Sequence, residues 1–425
     1  RLYLKENNFY SYRETWPQLA KNLNQEYLDA AKTDNKRNLI FDETWEEIKS
    51  FGPTRELIIM ELGGSYFKLF KAAVQSDKKI VTQKNQSFQF YEDKIYTPNI
   101  LFSNIKKQLD AFLDDEDKNS IKNVVFIFTF PLEQYKREDG YIDAVCTYFG
   151  KTHKSEGIVG MKVGESLQNY LRNNGYENIT ISVTNDTPAS LLSAKAIEIS
   201  HHMKFDAVMN IIVGTGTNIA TGQNIEINGQ KKFFIANTEF GNFKSVPLSR
   251  FDEIFDAQVD SKGNYLTEKM ISGAWQHQIF KVILKDLSEK KFILDEEISN
   301  FDFENMDSGE IEKFFKSNKP KNESFEVLEI IWSEITQRGA TICGILLSGI
   351  MKNLLIESKL DKIEIGIIEV GSVIEKARNF KKVLLDTMDT ELARLEIINK
   401  VNYHFFNPNF QTVLGATIFD SFFSK

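Results

Sequence analysis

The stretch SVTNDTPASLL sets Asn185 and Asp186 between an apolar run that reads as a strand and a run that reads as a helix. Aspartate at such a junction is either a helix cap or Asx turn, or one member of a ligand-binding set. Three further segments repeat the placement. FIFTFPLEQ puts Thr129 beside Pro131, FFIANTEFGNF puts Asn237 and Glu239 just past a strand pattern, and GNYLTEKMISGAW puts Glu268 at the start of a helix pattern. Asparagine and carboxylate groups at strand and helix ends supply donors and acceptors together, which is the chemistry that binds a polyhydroxylated molecule such as a sugar.

Glycine marks a second kind of site. In ELIIMELGGSYFKLFKAAV, two apolar runs flank Gly63-Gly64, with Glu61 two residues ahead. This is either a tight hairpin turn or a loop whose backbone N–H groups hold an anion, where glycine permits close approach. The pattern recurs half a chain later in FDAVMNIIVGTGTNIATGQ, at Gly214 and Gly216. A single recurrence at that distance is what a duplicated domain leaves, not a short-period repeat. It suggests a nucleotide clamped between two related units.

The elements that must hold these residues alternate between strand and helix. LIIME, YFKLFKAAV and KIVTQKNQSFQF read as strands; Ile100 to Asp115 as an amphipathic helix; Asn123 to Gln134 as an apolar strand stopped by Pro131; Val163 to Asn174 as a helix; and NITISVTND as a strand. TPASLLSAKAIE follows as a helix with Thr187 as its cap. Residues 325 to 357 form a long amphipathic helical stretch, and KIEIGIIEVGSVIEK reads as a third strand pair with Gly371 between its halves. A turn and a helix close the chain. Ahead of all this, ETWPQLAKNLNQEYLDAAK is helical, with Pro17 in the first turn or at a kink, and FGPTRE marks a boundary at Gly52-Pro53. The alternation is the α/β signature.

Composition narrows the partners. The 425 residues suggest two or three domains, and 42% hydrophobic with 26% charged residues is ordinary for a globular enzyme. A formal net charge of −8 argues against nucleic acid or an anionic membrane as the main partner. Cys146 and Cys343 make neither a disulfide framework nor a CxxC metal pattern. No apolar run is expected to reach the roughly 18 residues that span a bilayer. The five histidines form no metal or triad pattern. The chain begins at Arg1, which reads as a trimmed or processed start.

In order, MELGGSYFKL, FTFPLEQ, TNDTPASLL, GTGTN, NTEFGNF, YLTEKMISG and EVGSVIEK resemble the motifs of the eukaryotic hexokinase family, matching in order and approximate spacing from about residue 57 onward. The resemblance implies a two-lobed α/β fold of the actin/Hsp70-like ATPase (ribonuclease H-like) type, with glucose or another hexose in the cleft and ATP with Mg²⁺ as phosphoryl donor. It implies that Asp186 is the catalytic base for the sugar 6-hydroxyl. It places Thr129, Asn185, Asn218, Asn237, Glu239 and Glu268 on the sugar, together with Lys151, which it makes catalytic as well; Lys151 is the surviving residue of a Trp-Thr-Lys-Gly-Phe segment, and a solvated surface charge is the alternative reading of it. Gly63, Gly64, Ser65 and Lys68 correspond to the first phosphate loop, and Gly214, Thr215 and Gly216 to the second. The implied layout is N-terminal helices (1–54) on the larger lobe, a smaller lobe over 55–187, the larger lobe over 188–405, and a last helix (406–425) returning to the smaller lobe.

The departures fall on one side. Glu61 stands where the family has an Asp near Mg²⁺, Tyr66 where it has Asn, and Lys68 where it has Arg. Gly371 and Ser372 are kept, but Val370 replaces an Asp. The glycine-rich adenosine loop is reduced in NPNFQTVLGAT to Gly415 and Ala416, with Thr412 as a hydroxyl substitute. The expectation is a normal sugar pocket with altered nucleotide binding, and Glu61 is expected to reach a metal-bound water. The alternative is a hexokinase-like sugar sensor or partner-binding protein with little catalysis. Abundant Phe, Lys, Asn and Ile suggest a lineage like the microsporidian hexokinases. Cytoplasmic location is the default expectation, with secretion into a host cell if a signal peptide preceded Arg1, and a monomer or homodimer is expected.

Overall fold

The computed structural model describes residues 1–47, 55–63, 66–75, 79–89, 95–149, 154–293, 296, 300–318 and 322–422. The proposed boundary at Gly52-Pro53 lies outside them.

Two sheets organise the chain. Strands β1 (Leu39–Phe41), β2 (Arg55–Leu62), β3 (Tyr66–Val74), β4 (Ile80–Gln89), β5 (Ile95–Tyr96), β6 (Asn123–Phe128), β7 (Leu132–Lys136), β8 (Ile142–Cys146), β9 (Lys154–Ser155) and β10 (Thr180–Thr184) precede the long helix Asp186–His201. Strands β11 (Ala207–Val213), β12 (Thr217–Ile227), β13 (Gln230–Asn237), β14 (Ile363–Val370) and β15 (Val401–Phe406) follow it. The smaller lobe is built on a five-stranded sheet in the order β10-β6-β2-β3-β4, and the larger on a six-stranded sheet in the order β1-β13-β12-β11-β14-β15. In both, an antiparallel glycine hairpin (β2/β3, β11/β12) has its first strand paired in parallel with a later strand (β6, β14). The inner strands carry near-continuous apolar runs, such as NVVFIF in β6 and IEIGIIEV in β14, because both faces of each sheet are covered.

Five layers result. Helices Pro98–Phe112 and Val163–Arg172 cover the outer face of the smaller sheet through Leu101, Ile105, Leu109, Val163, Leu167 and Leu171. Between the two sheets lie Asp186–His201 and Gln411–Ser421, packed on each other within one core that draws on both sheets. The contact is very close: a Cβ on Gly415 would sit 1.5 Å from the Ala189 carbonyl oxygen. The outer face of the larger sheet is covered by Trp16–Ala30, Glu323–Ser358 and Phe380–Arg394.

Several readings need correction. Asn185, not Thr187, caps the helix after β10, its Oδ1 accepting from the Thr187 N–H at 3.2 Å. Gly371 does not separate two strands: β14 ends at Val370 and a short helix, Ser372–Lys376, follows. The apolar strand does end ahead of Pro131: β6 stops at Phe128, and Leu132–Lys136 forms a separate strand, β7, that pairs with β8 outside the five-stranded sheet. The expectation that no segment is long and apolar enough to cross a bilayer also fails. The 36-residue helix Glu323–Ser358 meets that condition, although 78% of its most apolar window is buried inside the fold, where it serves as a core helix. Pro17 sits in the first turn of Trp16–Ala30, where a missing N–H costs nothing.

Candidate active site

A cleft of about 710 Å³ opens between the lobes. From the smaller lobe it is lined by Thr129, Pro131, Tyr148, Asn185 and Asp186, and from the larger by Thr215, Gly216, Asn218, Glu239, Tyr265 and Glu268, among others. Topology explains the meeting on the smaller-lobe side. β6 and β10 are parallel neighbours, with Ile127 opposite Thr184, so the residues leaving their carboxyl ends, Thr129 and Asn185-Asp186, emerge side by side. Asp186 is the first residue of its helix, where the backbone dipole favours a carboxylate. The buried Asn185 amide donates to the Phe128 carbonyl at 3.3 Å, tying this end to the Thr129 segment.

On the other wall a buried amide organises the polar groups. Asn218 Nδ2 lies 3.0 Å from Thr187 Oγ1, 2.9 Å from Asn237 Oδ1 and 3.2 Å from Glu239 Oε1. Asn237 Nδ2 donates to the same Glu239 oxygen at 3.2 Å, and its own backbone N–H donates to Asn38 Oδ1. Glu239 is held in the left-handed region at φ +50°. Glu268 accepts from the Thr217 N–H at 3.1 Å, and it is wedged between two glycines. A Cβ on Gly216 would lie 3.0 Å from Glu268 Oε2, and one on Gly241 3.1 Å from Glu268 Cβ. Thr129, Asn185, Asp186, Asn218, Asn237, Glu239 and Glu268, far apart in sequence, thus form one wall-to-wall set of donors and acceptors.

The glycine loops divide. Gly214 turns back on itself, its N–H donating to the Gly216 carbonyl at 2.9 Å, and leaves Thr215 exposed at the cleft. Gly371 backs onto it: at φ +114° its Cα is 3.5 Å from the Cβ position of Gly214, and a Cβ of its own would lie 2.4 Å from the Val213 carbonyl oxygen. Ser372 begins the helix that follows, its backbone nitrogen 3.8 Å from the Gly214 Cβ position. Gly273, whose N–H donates to the Gly214 carbonyl at 2.7 Å, completes this meeting of glycines. At the other hairpin, Glu61, Lys68 and Thr412 come together: Lys68 Nζ is 2.6 Å from Glu61 Oε1, and Thr412 Oγ1 donates to Glu61 Oε2 at 2.7 Å. Gly63 donates across the turn to the Tyr66 carbonyl at 2.9 Å. Gly64, Ser65 and Lys151 lie outside the described residues. Gly415 is buried at the helix crossing rather than lining the cleft.

Some residues of the site carried no pattern in the sequence. Asn210, fully buried, donates to the Thr187 carbonyl at 2.8 Å and accepts from the Ala220 N–H at 2.7 Å, fixing the Asp186 helix to the larger sheet. A lone asparagine inside a strand signals little. Lys269, also buried, bonds Asp256 Oδ1 at 2.6 Å and the Ser261 carbonyl at 2.8 Å, which fixes the loop carrying Gln258 to Ser261 at the cleft. Burial alone raises the Asp256 carboxyl, but the Lys269 ammonium and the Gly263 N–H outweigh it and hold it below the ordinary carboxylate value.

Two α/β lobes around a polar interlobe cleft define a two-lobed fold of the actin/Hsp70-like ATPase type. A hexokinase from Schistosoma mansoni, solved complexed with glucose, shares this fold with a TM-score of 0.72 at 17% identity, over 97% of this chain and 95% of that one. Hexokinase family models match residues 14–196 and 208–405, and the chain belongs to the hexokinase family. Among curated relatives, human hexokinase-2 is 24% identical over 363 residues, 78% of this chain and 38% of that protein. Mouse hexokinase-1 is 25% identical over 260 residues, 57% of this chain and 25% of that protein. The chain therefore spans well under half the length of these two relatives.

Proposed function

We propose that the protein transfers the γ-phosphoryl group of ATP to the 6-hydroxyl of a hexose, giving hexose 6-phosphate and ADP. One observation carries the reading: the Asp186 carboxylate, at a helix N-terminus, lines the same cleft as Glu239, Glu268 and the Asn218 cluster and the Thr215-Gly216 turn. Asp186 takes the 6-hydroxyl proton as that oxygen bonds to the γ-phosphorus and the bond to the β,γ-bridging oxygen breaks. Glu239, Glu268 and the asparagines fix the sugar so that one hydroxyl reaches Asp186, and most of the acceleration is positional and electrostatic. Closure of the lobes excludes water, the competing acceptor.

The donor set suits a cation that travels with ATP. Among the described residues no group of three His, Cys, Asp or Glu side chains is arranged as a metal cage, and Mg²⁺ keeps waters and phosphate ligands rather than requiring one. Such a cation would neutralise phosphate charge, and Glu61, bonded to Lys68 and Thr412, is the acid that would hold one of its waters. The test is hexose-dependent ADP release by the purified protein. Release that requires both hexose and Mg²⁺ supports the reading, and hexose binding with no turnover overturns it.

A further inference from the structure

We propose that Asn210 is a positioning residue for the Asp186 base, holding the start of the helix Asp186–His201 against the larger sheet; this rests on the hexose-phosphorylating reading above. β11 reads AVMNIIV, and Asn210 is its one polar side chain. Side chains alternate along a strand. Asn210 therefore shares a face with Val208, which packs in the core between the sheets, and with Ile212, which lines the cleft. An apolar side chain would suit that place, because a buried amide is costly unless its donors and acceptor are bonded. Asn210 is fully buried and meets the condition. Nδ2 donates to the Thr187 carbonyl at 2.8 Å and to Ser190 Oγ, and Oδ1 accepts from the Ala220 N–H at 2.7 Å.

Both Nδ2 bonds end next to the base. Thr187 follows Asp186 directly, and its carbonyl also accepts from Ser190 Oγ at 3.0 Å, so Asn210, Ser190 and Thr187 close a triangle. Thr187 Oγ1 accepts from Asn218 Nδ2 at 3.0 Å and lies 3.4 Å from Asp186 Oδ1. Among the described residues, Asn210 and Asn218 are the side chains of the larger sheet bonded to Thr187. Asn218 is shared with Asn237 and Glu239 of the hydroxyl-binding set, whereas the Asn210 amide donates only to the start of this helix. The chain reaches Asp186 from β10 of the smaller lobe. Asn210 ties that residue to the sheet that carries Asn218 and Asn237, so the base and the hydroxyl-binding wall share one frame.

The experiment measures kcat with glucose and ATP, and glucose affinity by calorimetry, in Asn210→Ala, Ser190→Ala and the double variant Asp186→Asn/Asn210→Ala, well below each Tm. Misplacing a catalytic group by about 1 Å can cost on the order of 10²-fold. Asn210→Ala is therefore expected to lower kcat at least tenfold, with glucose affinity within about threefold of wild type. A residue that acts through the base has nothing left to position once the base is gone. In the Asp186→Asn background the same substitution is expected to change kcat less than twofold. A lower Tm with unchanged kcat overturns the inference while leaving hexose phosphorylation intact. So does a tenfold fall that persists without the Asp186 carboxylate, or a loss carried by glucose affinity instead of kcat. If Asn210→Ala does not fold, Ser190→Ala decides: a few-fold lower kcat at unchanged glucose affinity supports the inference, and unaltered kcat overturns it. A wild type that releases no ADP with glucose ends both readings.

Discussion

Asn218, Asn237 and Glu239 at the cleft, and Glu61, Lys68 and Thr412 at the first glycine hairpin, are both closed hydrogen-bonded clusters, but they are closed differently. The first is anchored in the protein interior. Asn218 and Asn237 are 9% and 5% exposed, and the backbone N–H groups of Ile219 and Asn237 are bonded to asparagine side-chain oxygens. Its groups are already oriented, and a ligand hydroxyl meets them in place. The second is an ion pair with a hydroxyl attached, and its lysine is 41% exposed. Exposed pairs of this kind contribute about 1 kcal/mol or less, so an arriving phosphate can draw Lys68 away at little cost. On the proposed reading the hydroxyl-binding side is preorganised, and the phosphate side would be re-paired when its ligand arrives.

Four experiments press on that contrast. Asp186→Asn should lower turnover by about 10²–10⁴-fold, the usual contribution of a general base, while calorimetry shows hexose affinity within a few-fold of wild type. Turnover near the wild-type rate would remove the base from Asp186. Gly415→Ala should cost about 3 kcal/mol in urea denaturation, because its methyl group has no room beside Ala189, yet leave the KM for ATP of the folded protein unaltered. A changed KM at full stability would return Gly415 to the nucleotide side. Glu61→Gln should leave hexose affinity untouched and raise the Mg²⁺ requirement a few-fold. Unaltered Mg²⁺ dependence would leave Glu61 only its bonds to Lys68 and Thr412. The smallest effect concerns Asp256. Its folded carboxyl is held below its ordinary 3.8, so its contribution is complete above that value and is lost as pH falls through the depressed one. Hexose affinity and Tm should therefore decline on acidification below about pH 4, and Asp256→Asn should flatten that decline.

The preorganised side was the more legible in sequence for a physical reason. Parallel strands in a two-lobed sheet deliver their carboxyl ends to one place, so Thr129, Asn185 and Asp186 show themselves as polar residues at the ends of apolar runs. Glu239 and Glu268 do so beside glycines that the close packing requires. Lys269 and Asn210 were illegible because each acts through contacts distant in sequence. Gly415 reads as a loop glycine, but its absent side chain serves a helix crossing, which only the partner helix reveals. Asn185 and Thr187 are both good capping residues, and their order was settled by where the first helical turn begins. Tyr148 and Tyr265 look like ordinary core aromatics until the cleft is seen between them.

The helix Gln411–Ser421 also sets a timetable. The strands of the smaller lobe are complete at Thr184, and the inner face that this helix helps to cover includes Leu57, Ile59, Val125 and Ile127. At about 5–20 residues per second, a ribosome needs roughly 10–45 s to go from that strand to this helix. For that interval the apolar face lacks its last layer, so the half-made chain is more exposed to misassembly than the finished one.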